Sequence, residues 1–90
     1  MQDFQRQLDA LKEMQSFLSH FCLELTDKIA DYNEWVNKMF SIGVEKGAAE
    51  KFEDDYLTVI TRHINSIIDS IEREQLPFIR RQIESTEKIL

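Results

Sequence analysis

Three groups of side chains have residue types that could do chemistry. His20, Cys22 and Glu24 bring an imidazole, a thiol and a carboxylate close together in sequence, and all three types ligate zinc. On a helix, however, His20 and Cys22 point about 200° apart at about 100° per residue. Only His20 and Glu24 share a face, and two ligands do not close a structural zinc site. Cys22 falls instead on a long apolar stripe, where a free cysteine behaves as a small hydrophobe. His63 has the residue type of a catalytic base or pH switch, but no Ser, Cys or carboxylate is spaced to make it a catalytic base. It reads as a boundary residue, four positions after Val59. Glu50, Glu53, Asp54 and Asp55 form the densest acidic cluster. A calcium loop needs oxygens spaced along a turn with a glycine inside it, and these residues fall on a helical pattern. The sequence therefore predicts no catalytic residue, no metal site, no cofactor and no enzymatic activity.

The elements that carry these residues are helical. The chain has 90 residues, enough for one domain covering 1–90, with only two Gly and one Pro, which disfavours a loop-rich or all-β fold. Charged residues at 31% and apolar residues at 42% fit a folded chain. A single Cys excludes an internal disulfide. The net charge of −6, with Arg80-Arg81 as the one adjacent basic pair, argues against nucleic acid as a partner. No apolar run is long enough to span a membrane. The opening "MQDFQRQLD" has neither the charged nor the apolar region of a cleavable signal peptide, so cytoplasmic synthesis and folding are expected.

Phe4, Leu8, Leu11, Gln15, Leu18, Cys22, Leu25, Ile29, Tyr32, Val36 and Met39 recur at alternating steps of four and three. Five heptads in register predict one helix from about residue 3 to 41. Met14, Phe17, Phe21 and Trp35 lie beside this stripe and make the apolar face wider than a two-stranded seam requires. Gln15, the polar member, is either a register-setting buried residue or part of a less buried layer beside Met14. Gly43 is expected to end the helix in the left-handed conformation. The acidic cluster then suits the positive end of a second helix, and Ala48 and Ala49 permit a tight hairpin.

In the second half, Ala49, Phe52, Tyr56, Ile60, Ile64, Ile67 and Ile71 form a stripe, with Val59 and Ile68 alongside. The phase slips near "REQLPFIRRQ" and resumes as Leu76, Ile79, Ile83 and Leu90. Pro77 there predicts a kink in a continuing helix rather than a separate third one, because Leu76 offers no capping oxygen. The expected fold is all-α: an antiparallel helical hairpin of two long helices, the second kinked near Pro77. Leu11, Met14, Phe17, Leu18, Phe21, Leu25, Trp35 and Phe40 are the candidate partner interface. Burying them predicts assembly into a four-helix bundle, with a second copy or another hairpin.

The stretch "VEKGAAEKFEDDY" and the two-helix layout resemble the WXG100 (ESAT-6-like) family of small type VII secretion substrates. In that family a Trp-x-Gly turn is followed by small residues and a Phe at the start of the second helix. Gly47, Ala48, Ala49 and Phe52 match that run in order, while Glu45 stands where the family has Trp. Tyr56 is followed four residues later by Ile60, not by the acidic residue of the family's tail signal. The resemblance implies a homodimer or heterodimer, acting as a secreted substrate or its accessory partner, exported without a cleavable signal. The competing expectation is a cytosolic acidic binding protein, such as an immunity protein or a dedicated chaperone, that covers a basic partner.

Overall fold

The computed structural model describes residues 3–90, and every regular element among them is helical. Helix α1 spans Phe4–Gly43 without interruption, and the second arm contains α2 (Lys46–Phe52), α3 (Thr58–Ser70) and α4 (Leu76–Ile89). Two five-residue π-turns, Glu53–Leu57 and Ile71–Gln75, join α2 to α3 and α3 to α4. The backbone stays in the right-handed helical region across every one of these junctions. The second arm is therefore one continuous rod that runs back along α1, and the hairpin measures 65 × 18 × 16 Å.

Helix α1 starts where Asp3, in extended conformation, accepts a 3.1 Å hydrogen bond from the Arg6 amide. This is an N-cap that satisfies one of the four orphan donors of a helix start. The other end departs from expectation. Neither glycine has a positive φ, so Gly43 is not a left-handed cap. The reversal is made by Val44 (φ −103°, ψ 136°) and Glu45 (φ −58°, ψ 140°), two extended residues that swing the chain across. Val44 is β-branched and suits that conformation. The Ala49 amide then donates to the Glu45 carbonyl at 2.9 Å and opens the second arm.

The seam between the arms explains the π-turns. On α1 the buried or half-buried positions include Leu8, Leu11, Gln15, Leu18, Cys22, Leu25, Ile29, Tyr32, Val36 and Met39, the stripe expected from the heptads. Gln15 is half-buried among them. On the second arm the corresponding positions are Ala49, Phe52, Leu57, Thr61, Ile64, Ile68, Ile71, Leu76, Ile79, Ile83 and Thr86. Their spacing is three or four residues except at 52–57 and 71–76, where it is five. Both five-residue steps coincide with a π-turn. There the Thr58 amide bonds to the Glu53 carbonyl and the Leu76 amide to the Ile71 carbonyl, each five residues back. A π-turn accommodates one extra residue in a helix, so each returns the apolar stripe to the seam.

This corrects the stripe read from sequence. Tyr56, Ile60 and Ile67 are 60%, 43% and 47% exposed, whereas Leu57 is 6% exposed. Continuing the steps of three and four through residue 52 selected Tyr56, Ile60 and Ile67, the neighbours of the seam residues Leu57, Thr61 and Ile68. Leu90 is likewise exposed, and buried Thr86 takes the last layer. There the Thr86 hydroxyl donates to the Gln82 carbonyl at 2.8 Å and accepts from Gln7 Nε2 at 3.2 Å, tying the two arms together. Pro77 stands in the first turn of α4, directly after the second π-turn, and it starts no separate helix.

Two stability measurements follow. Leu57→Ala should cost about 2–4 kcal/mol in urea unfolding and Ile60→Ala under about 1 kcal/mol, since only the first opens a cavity; equal costs would contradict the register. Gly47→Ala should stabilise by about 0.5–1 kcal/mol. A Cβ at Gly47 meets only Glu45 Oε1, at an ordinary 3.8 Å, and a loss of stability would contradict this turn geometry.

Candidate interaction face

A hairpin has a seam and two broad faces. Positions one residue before the seam project about 100° to one side of each helix. Because both helices are right-handed and run in opposite directions, those positions on the two arms project to the same broad face. On α1 they include Met14, Phe17, Phe21, Glu24, Lys28, Asp31, Trp35, Lys38 and Ile42, and on the second arm Tyr56, Ile60, His63, Ile67 and Phe78. Phe17, Trp35 and Phe78 are 66%, 59% and 54% exposed, and Phe21 is 37% exposed. Positions one residue after the seam lie on the opposite face. They include Lys12, Ser16, Ser19 and Thr26 on α1 and Glu53, Arg62, Asp69, Glu72, Arg80 and Glu84 on the second arm. The first face thus carries apolar clusters toward both ends of α1 with Glu24, Lys28 and Asp31 between them, and the opposite face is mostly polar, with Leu23 an exposed apolar residue on it.

Away from the hairpin tip, the apolar face opens into a groove of about 680 Å³. Met14, Phe17 and Phe78 contribute to its lining with Leu11, Leu18 and Ile79. Leu11 and Leu18 pack against the cluster of Leu8, Ile79 and Ile83, so the groove is backed by the core. Phe17 and Phe21 stack with ring centroids 5.9 Å apart. Toward the tip, Phe52 meets Phe40 edge-on at 5.3 Å and Tyr56 at 5.2 Å.

The candidate interface residues therefore divide. Met14, Phe17, Phe21 and Trp35 are exposed on the apolar face. Leu11, Leu18 and Leu25 are half-buried along the hairpin's own seam, and Phe40 closes its tip against Phe52. Tyr56, Ile60, Ile67 and Phe78 belong to the face and were not assigned to it from sequence. Their signal was the same heptad spacing, hidden by the two five-residue steps. In the turn, Glu45 precedes α2 without a side-chain capping bond, Gly47 and Ala48 are exposed, Ala49 is half-buried, and Phe52 packs inward.

His20 and Glu24 are exposed while Cys22 is buried in the seam, so these three do not converge. Among the described residues no three His, Cys, Asp or Glu side chains are placed to hold a metal. His63 is exposed beside Ile60 and Ile67. No helix among the described residues is long and apolar enough to cross a membrane. Comparison with protein-family models, with curated proteins and with solved structures finds no match to this chain.

Burial, and secondarily the negative charge of Glu72 across the seam, raise the Cys22 thiol above its usual 9.0. The fold thus holds the proton more tightly than the unfolded chain does. Stability is full below pH 9 and should fall as pH rises from there toward the folded-state value. Cys22→Ala should remove that component of the alkaline loss in urea titrations, and an unchanged alkaline slope would contradict it.

Proposed function

We propose that this chain is a non-enzymatic interaction protein whose apolar face buries against a second helical hairpin to complete a four-helix bundle. The observation that carries this reading is the placement of both arms' outer apolar stripes on one broad face. Helical hairpins with such a face find their stable form in bundles, and exposed apolar surface of this extent marks a contact surface on a protein chain. A bend of the second arm at the Ile71–Gln75 π-turn and Pro77 would let α4 follow the partner.

A narrower form of the reading makes the chain a WXG100-like type VII secretion substrate or an accessory partner of one. It rests on the hairpin layout and on the run Gly47, Ala48, Ala49, Phe52, and it carries with it export without a cleavable signal. A second reading, a cytosolic acidic binding protein of the immunity or chaperone kind, is favoured by one observation. Glu45, Glu50, Glu53, Asp54 and Asp55 are all exposed around the tip, where they could capture a basic partner.

The assembly reading is tested by thermal unfolding followed by circular dichroism at protein concentrations a hundredfold apart. The melting temperature should rise with concentration, as it does when association is linked to folding. Phe17→Glu with Phe21→Glu should remove that dependence while leaving a helical chain. Alternatively, the isolated protein could show weak helicity and aggregate, which would be the sign of a missing second hairpin. A sharp, concentration-independent melt of the unaltered chain would overturn the reading.

A further inference from the structure

We infer that the occupant of the apolar face is a second copy of this chain, laid antiparallel on the first with the two-fold axis at Lys28. This rests on the reading of the face as an assembly surface, and it names the partner and its orientation. A two-fold contact places one surface patch against itself, so the patch must match its own reversed image. The outer stripe of α1 has that property. In order it reads Met14, Phe17, Phe21, Glu24, Lys28, Asp31, Trp35, Lys38 and Ile42. Phe21 and Trp35 each lie seven residues from Lys28, and Met14 and Ile42 each lie fourteen. With the axis at Lys28, Phe21 of one copy therefore covers Trp35 of the other, and Met14 covers Ile42. Phe17 falls at the level of Lys38, whose aliphatic stem can lie over a ring while its ammonium stays in water.

Three of the stripe's four charged residues, Glu24, Lys28 and Asp31, are gathered at the proposed axis. Lys28 is flanked on its own helix by Glu24 and Asp31. In the antiparallel pair the two Lys28 side chains meet at the axis and Glu24 falls level with Asp31 of the second copy, and each long lysine side chain can extend diagonally toward the carboxylates of both copies. The second arm fits the same centre. Gln7 bonds Thr86 and Phe40 packs on Phe52, so residue 28 is level with about residue 65 across the seam. Ile67 and His63 straddle that level.

The area is consistent with a second copy, and the charges at the tips favour this orientation. The exposed parts of Met14, Phe17, Phe21, Trp35, Ile42 and the second arm's face residues amount to roughly 900 Å² per copy, at about 200 Å² for a full large side chain. A specific interface needs about 800 Å² from each partner. The other two-fold arrangement, with the axis along the rod, would set the two tips side by side. Each tip carries Glu45, Glu50, Glu53, Asp54 and Asp55 against Lys46 and Lys51. The antiparallel arrangement separates these clusters, and such charges act on orientation more than on affinity.

The test is a pair of nitroxide distances measured by pulsed electron resonance, with Cys22→Ala as the background and circular dichroism on each labelled chain. Labels at Lys46→Cys, near the tip, should lie about 50 Å apart, from about 1.5 Å per residue on both sides of the axis. Labels at Asp27→Cys, beside the axis and directed away from the face, should lie within about 25 Å of each other. Tip labels within about 25 Å would overturn this arrangement and leave the assembly reading standing. No intermolecular distance from a poorly helical or aggregating chain would overturn the second copy and leave a different hairpin as partner. No intermolecular distance from a fully helical, soluble chain would overturn both.

Discussion

The structure depends on keeping two helices in phase along the seam of a hairpin 65 Å long. A hairpin has no third layer to close its core, so each turn of each arm must present an apolar residue to the other. Helix α1 meets this demand with an almost unbroken heptad pattern over its forty residues. The second arm has the same pattern with one extra residue at each of two places, and there the helix widens into a π-turn. Without those turns, every side chain beyond residue 52 would rotate by about 100° per extra residue. Ile71, Ile79 and Ile83, all buried, would leave the seam.

The same phase relation makes the apolar face. Once the seam is in register, positions one residue before it line up on one side of both arms. Met14, Phe17 and Phe21 then share a broad face with Phe78, and Trp35 shares it with Tyr56, Ile60 and Ile67. The acidic tip residues and most of the second arm's charges lie at the tip or toward the other face and the outer edges. The proposed function follows from that division: a surface with its exposed aromatic side chains gathered on one side suits assembly.

Much of this was legible in the residues, and the parts that were not have physical causes. The α1 stripe from Phe4 to Met39 was readable because uninterrupted spacing has one helical interpretation. The slip near Pro77 was readable because proline and a change of spacing coincide. The slip at Phe52 was not, because Tyr56 and Ile60 are more apolar than the seam residue Thr61 and offered a false continuation. Gly43 and Gly47 suggested a glycine-made turn, while the chain instead reverses through extended Val44 and Glu45. For the interface, Met14, Phe17, Phe21 and Trp35 were identifiable as excess apolar surface on α1. The half-buried positions of Leu11, Leu18 and Leu25 and the burial of Phe40's ring against Phe52 depend on where the second arm lies.

The claim at the centre is that the apolar face is covered by another hairpin, and solution mass tests it most directly. Light scattering over a concentration series should give twice the chain mass of 10.7 kDa for a highly helical, soluble species. A 10.7 kDa particle that stays soluble and fully helical at every concentration would contradict it, since the exposed phenylalanines would then need no partner.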